Sequence, residues 1–397
     1  MPKHSQNTEI NLLDGRFYAR NPHPCFTWMR ANAPVYWDAQ TEIWGIACHA
    51  DVMHVSKTPA DFCNGQGMRP DQPAIPSMIN MDDPDHVKRR RLVSSGFTPR
   101  QVQDQTSKVT EVCRTLVAKV RAMGDFDFVR DLAAPLPMIM IGDMLGVLPE
   151  DRDRLLRWSD DLIIGTSSTA TPEAAEGAMQ AFAEYSVYHS EVVANRRTRH
   201  DANDLISILV HAEIDGEKLD DEALLQESLL ILIGGDETTR HVLTGGMHQL
   251  LRHPEQYRAL IEDPAKIPAA VEEMLRWVTP IQNMSRTATR DVELHGERIR
   301  EGDKVLLLYP SANRDETIFE DPFRFDITRD PNPHVAFGGY GSHFCLGASL
   351  ARLELTTMIH QIVTELPMLE LSTTDPLPMR PSNFIVGIEK MQVRVAA

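Results

Sequence analysis

Apolar residues recur at helical spacing over most of the chain from about residue 84 to residue 277, which predicts a succession of helices. The longest predicted helix covers residues 221–251, with Asp220 or Asp221 as its N-cap. One more helix is predicted from Leu346 to about Leu366. Helices therefore dominate the middle of the chain and return near its end.

Extended segments are predicted at residues 34–37 and 43–47, and short strands with long loops follow residue 278. Three prolines prevent regular structure in the loop of residues 68–83. No internal repeat, linker or shift in composition divides the chain. The pattern predicts a mainly α fold with a minor β part, formed by a single domain over residues 1–397.

The composition narrows the class of protein. Hydrophobic residues make up 42% of the chain, so a packed core is expected. Five cysteines without regular spacing suit a reducing compartment. The polar N-terminus lacks a signal sequence and no apolar run reaches the ~18 residues of a membrane span, so we expect a cytoplasmic protein. A net charge of −17 argues against nucleic acid as a partner.

The glycine-rich segment Phe337–Gly347 contains a single cysteine, Cys345, directly before the last predicted helix. Oriented backbone N–H groups and the helix dipole favour a thiolate there. The glycines let the backbone approach a large flat ligand. This chemistry suggests one axial thiolate on haem iron. A lone cysteine is more often a small buried hydrophobe, and zinc fits poorly because no C-x-x-C pair accompanies His343 and Cys345.

A polar segment interrupts the apolar part of the longest predicted helix. Gly234 and Gly235 each cost about 1 kcal/mol relative to alanine in a helix interior. One interpretation is that a glycine ends one helix and Asp236 caps another. The functional interpretation is a local widening of a buried helix, with Glu237 as a proton source and the Thr238 hydroxyl holding dioxygen and its water.

An acid and a base share one helical face at Glu273 and Arg276, within an apolar stretch. Such a pair is normally a weak surface interaction. Arg324 is the predicted partner that makes it a buried network. The predicted role is structural, because the network holds the cysteine segment in place.

Cationic residues at three places in the sequence suit the two propionates of haem. His86 and Arg90 are four residues apart on one face of a predicted helix, and Arg286 and His334 are further candidates. The alternative is a solvated basic face. Both interpretations are compatible if His86 and Arg90 point inward and Arg89 points outward.

Taken together, the Gly234–Thr239 segment, Glu273-x-x-Arg276, Arg324 and the Cys345 segment resemble those of bacterial cytochromes P450 in order and spacing. The resemblance covers nearly the whole chain and implies a triangular helical domain with small β-sheets. It also implies haem b bound through Cys345, with Phe337 and Gly347 beside it, and an acid–alcohol pair of Glu237 and Thr238. The family usually has phenylalanine seven residues before the cysteine, where this chain has Gly338, and Phe337 lies one position earlier.

Several segments resemble those of actinobacterial steroid side-chain hydroxylases, which oxidise a terminal methyl group of the cholesterol tail. These segments are Met68–Ala74, Phe128–Met138, Arg157–Leu162, Leu230–His241 and Arg380–Gly387. The resemblance implies a monooxygenase acting on a steroid such as cholesterol or cholest-4-en-3-one.

The segments that line the substrate pocket in this family are rich in methionine and aliphatic residues here, which suits a bulky hydrophobic substrate. The predicted substrate residues are Met78, Ile79, Ile163, Leu230, Ile233, Gly234, Ile281, Asn283, Met284 and Ile385. Asn283 is the polar candidate among them. For any single methionine, ordinary core packing is an equally good interpretation.

Electrons must come from outside, because the chain has neither a G-x-G-x-x-G dinucleotide fingerprint nor a set of Fe–S cysteines. We expect NAD(P)H to supply them through a ferredoxin reductase and an acidic ferredoxin, to a monomeric enzyme. Lys88, Arg89, Arg91 and Arg352 are the predicted docking patch.

Other functions remain open from sequence. The substrate is alternatively a terpenoid, a fatty acid or another branched lipid. A non-catalytic haem-thiolate sensor of lipid or gas has no need of the pair Glu237 and Thr238, and peroxide-driven members of the family typically lack it. A haem-free lipid-binding protein is the remaining alternative.

Overall fold

The computed structural model describes residues 7–199, 204–214, 216–366, 368–373 and 376–395. Within these ranges the fold is mainly α with small sheets, as predicted. The helices are α1 (Gly15–Ala19), α2 (His23–Asn32), α3 (His49–Lys57), α4 (Asp85–Val93), α5 (Pro99–Asp104), α6 (Thr106–Met123), α7 (Pro135–Met144), α8 (Arg152–Gly165), α9 (Pro172–Thr198), α10 (Leu205–His211), α11 (Asp221–Arg252), α12 (Pro254–Glu262), α13 (Ile267–Val278), α14 (Tyr309–Ala312) and α15 (Ala348–Glu365).

The strands are short, and most of them lie before residue 65 or after residue 280. They are β1 (Val35–Asp38), β2 (Ile43–Ile46), β3 (Phe62–Cys63), β4 (Asp125–Asp127), β5 (Glu213–Ile214), β6 (Glu217–Lys218), β7 (Asn283–Ala288), β8 (Val292–Leu294), β9 (Glu297–Ile299), β10 (Lys304–Leu308), β11 (Leu369–Leu371) and β12 (Gln392–Val395). The largest sheet has the order β1-β2-β10-β7-β3. In its centre β10 pairs parallel with β2 and antiparallel with β7, with Leu308 opposite Asn283.

Helix α11 is continuous over its 32 residues, so the alternative of two helices separated at the glycines is wrong. The Asp220 side chain caps it by accepting a hydrogen bond from the backbone N–H of Ala223 at 2.8 Å. A Cβ on Gly235 would lie 2.4 Å from the Cδ1 atom of Ile141 in α7. Glycine at this position therefore allows α7 to pack closely on α11. No helix in the described ranges is long and apolar enough to cross a membrane.

The largest hydrophobic core lies between α11, α13, α15 and α6, with α13 and α15 packed on α11 and α6 packed on α15. Leu243 and Met247 of α11 and Leu355 and Met358 of α15 are fully buried in it. A Cβ on Gly246 would lie 2.5 Å from Met274 Cγ, so α11 and α13 approach closely. This packing makes α11 and α15 the two rigid walls between which the candidate site lies.

The predicted ion network exists, but its third side chain is a different arginine. Glu273 and Arg276 are fully buried and joined by two hydrogen bonds of 2.7 Å. Arg329 donates to Glu273 at 3.2 Å. Arg324 contributes only its backbone carbonyl, and its side chain is 67% exposed beside Asp326. The prediction of Arg324 is therefore wrong in this respect, because the chain turns its carbonyl inward and its guanidinium outward.

Candidate functional site

A cavity of about 560 Å³ lies between α11 and the start of α15 and is lined mostly by apolar side chains. Helix α8 and strand β7 also contribute to its wall. The predicted substrate residues that line it are Met78, Ile79, Ile163, Leu230, Ile233, Gly234, Ile281, Met284 and Ile385. Its chemistry suits a large apolar ligand.

Asn283 is not part of the cavity lining, contrary to the prediction. Successive residues of a strand point to opposite faces of the sheet, and its neighbour Met284 takes the cavity face of β7. The Asn283 amide donates to the Tyr18 hydroxyl at 3.2 Å and to the Asn383 carbonyl at 2.8 Å. Its polar group is therefore used inside the protein.

Cys345 lies deep in the protein, with its thiol accessible because it faces the cavity. Its backbone N–H donates to the Phe337 carbonyl at 2.9 Å, which fixes the segment just before α15. Burial raises the pKa of the thiol and outweighs the opposing N–H groups of Gly347 and Ala348 and the charge of Arg90. The N–H groups therefore favour the thiolate as predicted, but burial has the larger effect, and a bound metal cation would stabilise the thiolate further.

The displaced aromatic residue Phe337 packs against a cation. The Arg352 guanidinium lies 4.6 Å from the centre of its ring and is held there by two hydrogen bonds to Glu272, of 2.6 and 2.8 Å. Gly338 has a φ of +96°, a conformation in which a phenylalanine would be strained. The backbone therefore explains why glycine replaces the usual aromatic residue here.

Three cationic or hydrogen-bonding side chains line the cavity, and among the described residues only His86 has a carboxylate partner, Asp83, whose Oδ1 lies 3.1 Å from Nδ1. Arg286 is buried, and its Nη1 donates only to the neighbouring Ser285 carbonyl among the described residues. The buried Nε2 of His86 has no hydrogen-bond partner in the described part of the chain. Arg90 donates to the carbonyl of Phe344. These groups are arranged for an anionic ligand, because unpaired buried polar groups are costly.

The fourth member of this group is His343, which the sequence interpretation did not select. Its ring stacks on His86 with 3.8 Å between ring centres, and it lines the cavity. Its position two residues before Cys345 is the sequence feature that could have predicted its place in the site. His334, which was predicted for this role, lies outside the lining and is 3.0 Å from Glu272 through Nε2.

The cavity fits a flat iron-containing macrocycle with two carboxylates. A Cβ on Gly234 of α11 or on Gly347 before α15 would meet no atom within 4 Å, so both glycines border open space. Cys345 supplies a soft metal ligand, and the side chains of His86, Arg90, Arg286 and His343 supply partners for the carboxylates. Haem b has these features.

Glu237 is fully buried and lies outside the cavity lining. It pairs with Arg240, with His241 at 3.0 Å and with Arg380 at 2.6 Å. Burial alone would raise the pKa of Glu237, but these cationic partners outweigh it and hold the pKa below its usual value. The carboxylate is therefore ionised at rest and is connected to the cavity only through its neighbours.

Asp236, the adjacent acid, behaves in the opposite way. It is fully buried and accepts a hydrogen bond from Ser159 at 3.1 Å. Burial raises its pKa to about 8. Two neighbouring carboxyl groups with pKa values moved apart are typical of sites that handle protons.

Thr238 lines the cavity beside these acids. Its hydroxyl donates to the Gly234 carbonyl at 2.8 Å, one turn earlier in α11. Because the hydroxyl proton is used in this bond, the oxygen presents lone pairs that accept a hydrogen bond from a molecule in the cavity. Thr238 can therefore accept a hydrogen bond from a water in the cavity, and its predicted contact with dioxygen stays a prediction.

Comparison with known proteins agrees with this geometry. The family model described as Cytochrome P450 matches residues 18–395. A Steroid C26-monooxygenase of Mycobacterium tuberculosis is 49% identical over 97% of this chain and 96% of its own length. A Methyl-branched lipid omega-hydroxylase of Mycobacterium bovis is 36% identical over 96% of this chain and 91% of its own length. The structure of a Mycobacterium marinum cytochrome P450 in complex with pseudoionone matches with a TM-score of 0.91 and 34% identity, covering 99% of this chain and all of the other.

Proposed function

Because the chain belongs to the cytochrome P450 family, we propose that its monooxygenase activity is directed at the side chain of a steroid such as cholest-4-en-3-one. The enzyme is an oxidoreductase that uses haem b and electrons from NAD(P)H delivered by redox partners. The observation that supports a steroid most strongly is 49% identity to a Steroid C26-monooxygenase, together with a large apolar cavity in front of Cys345.

Some side chains of the cavity would hold the cofactor, and others would hold the substrate. Bound haem supplies the activation of dioxygen that places one oxygen atom in a C–H bond while the other becomes water. Cys345 would hold the iron, and His86, Arg90, Arg286 and His343 would bind the propionates. The apolar wall excludes water and fixes which C–H bond lies nearest the reacting centre, so selectivity follows from position.

We assign Thr238 and Glu237 to proton handling. Thr238 orients a water in the cavity, which donates a hydrogen bond to a lone pair of its hydroxyl oxygen. Glu237 is the preceding residue of α11, and its pairs with Arg240, His241 and Arg380 must loosen before it exchanges a proton with that water. Glu237 is thus ion-paired in the resting enzyme, and Thr238 contacts the reactants directly.

Thr238→Ala is expected to reduce the fraction of NAD(P)H electrons recovered in hydroxylated product by about tenfold or more, since positioned proton transfer contributes at least that much. The missing electrons should appear as hydrogen peroxide. Thr238→Ser, which keeps the hydroxyl, should retain most of the coupling. Product and peroxide are measured per NAD(P)H consumed; unchanged coupling in Thr238→Ala would rule out the assigned role.

A ferredoxin and its reductase are the proposed electron donors to a monomeric enzyme. Of the predicted docking patch, Lys88 and Arg91 are exposed. Arg89 is 3.3 Å from the buried Glu227, and Arg352 is bound to Glu272. The exposed positive charges available to a ferredoxin are therefore those of Lys88 and Arg91 on α4. The prediction that Arg89 points outward is wrong.

The steroid proposal is tested by binding. Cholest-4-en-3-one is expected to shift the purified holoenzyme from low to high spin with a micromolar or tighter Kd, about −8 kcal/mol or stronger. Fatty acids of similar length serve as the control and should bind more weakly. A shift with branched lipids but with no steroid would instead favour the second candidate, hydroxylation of a methyl-branched lipid, which the 36% identical relative supports.

A further inference from the structure

A buried arginine lines a part of the cavity wall that includes neither Cys345 nor the side chains assigned to the propionates. Arg69 is 7% exposed and belongs to the proline-rich loop before α4. Its guanidinium lies 4.5 Å from the centre of the Phe384 ring, which is also part of the cavity wall. Burying a cation in an apolar wall costs desolvation free energy unless the cation is paired and hydrogen-bonded.

Only some of the N–H groups of this guanidinium have a hydrogen-bond acceptor among the described residues. Nη2 donates to the Asn383 side chain at 3.2 Å and to the Thr166 carbonyl at 3.3 Å. Asp71 lies 3.6 Å from Nε and balances the charge. No hydrogen bond joins Nη1 to any of the described residues. One donor group of Arg69 is therefore available to a molecule in the cavity.

Arg69 is separate from the side chains assigned to the cofactor. Its partners come from the end of α8 and from residues 383–384, whereas His86 and Arg90 contact His343 and Phe344 beside Cys345. The two polar groups share no partner. A ligand that reaches from one to the other would place an apolar end near Cys345 and a polar end near Arg69.

We propose that Arg69 is a specificity-determining residue that donates a hydrogen bond to an uncharged oxygen at the end of the substrate remote from the oxidised carbon. This inference rests on the proposed function: in a steroid oxidised on its tail, that oxygen is the one on ring A. Because Asp71 already balances the charge of Arg69, the site selects a keto or hydroxyl oxygen rather than a carboxylate.

The test compares cholest-4-en-3-one with cholest-4-ene, which lacks only the ring A oxygen, in wild type and Arg69→Met. Wild type should bind the ketone about tenfold more tightly, as expected for a hydrogen bond from a charged donor. Arg69→Met should bind the two steroids equally. Equal binding by wild type, or a parallel loss of affinity for both steroids in Arg69→Met, would overturn the inference.

Arg154→Met is the matched control, since Arg154 also lies over an aromatic ring, Trp158 at 4.8 Å, and pairs with a carboxylate, Asp151, but away from the cavity. It should keep the tenfold preference. If Arg69→Met fails to bind haem, Arg69→Leu replaces it and should lose the same preference, because leucine offers no hydrogen-bond donor. If wild type binds neither steroid, the proposed function fails, and with it this inference.

Discussion

Glu273→Gln is expected to destabilise the holoenzyme by about 3–5 kcal/mol, the usual cost of removing one partner from a buried ion pair. Glu273 accepts hydrogen bonds from Arg276, Arg329, Asn332 and the backbone of Asp326. Glutamine has the same shape, but it leaves two buried guanidinium groups without a counter-charge. The segment of residues 321–332 should loosen first, because this carboxylate joins it to α13.

The midpoint of urea unfolding measures this loss. Glu370→Gln is the control, since it removes a similar arginine–carboxylate pair, with Arg394, from an exposed position. That change should leave the midpoint nearly unaltered, because exposed pairs contribute little. Equal midpoints for wild type and Glu273→Gln would show that the network is not a structural anchor.

The elements that the sequence predicted well are those with a strong local signal. Helix α11 begins one residue after Asp220, and α15 follows the cysteine, because apolar periodicity and capping chemistry are local properties. The pair Glu273 and Arg276 was also found, since residues three apart share a helical face.

The errors concern side-chain direction, which depends on packing between distant segments. Arg324 and Arg329 lie on one loop, and only the folded chain decides which guanidinium reaches Glu273. His334 precedes the cysteine segment and His343 lies within it, and His334 pairs with Glu272. Arg69 gave no local signal, because its partners Thr166 and Asn383 are far away in sequence.

Cys345→Ala is expected to abolish hydroxylation, because alanine offers no ligand for the iron and removes the electron-donating sulfur that favours O–O cleavage. The change removes one sulfur atom from a side chain that faces the cavity, so the pocket itself should persist. Haem retained by the variant would be held by His86, Arg90, Arg286 and His343 alone. Cys113→Ala, which changes a buried core cysteine, is the control and should keep the activity.

The absorption spectrum of the reduced carbon monoxide complex tests the central claim, that this cavity binds haem through the thiolate of Cys345. Wild type and Cys113→Ala should both show the red-shifted Soret band of a thiolate-ligated haem. Cys345→Ala should lack that band, whether or not haem remains bound. A red-shifted band of the same position and intensity in Cys345→Ala would contradict the account.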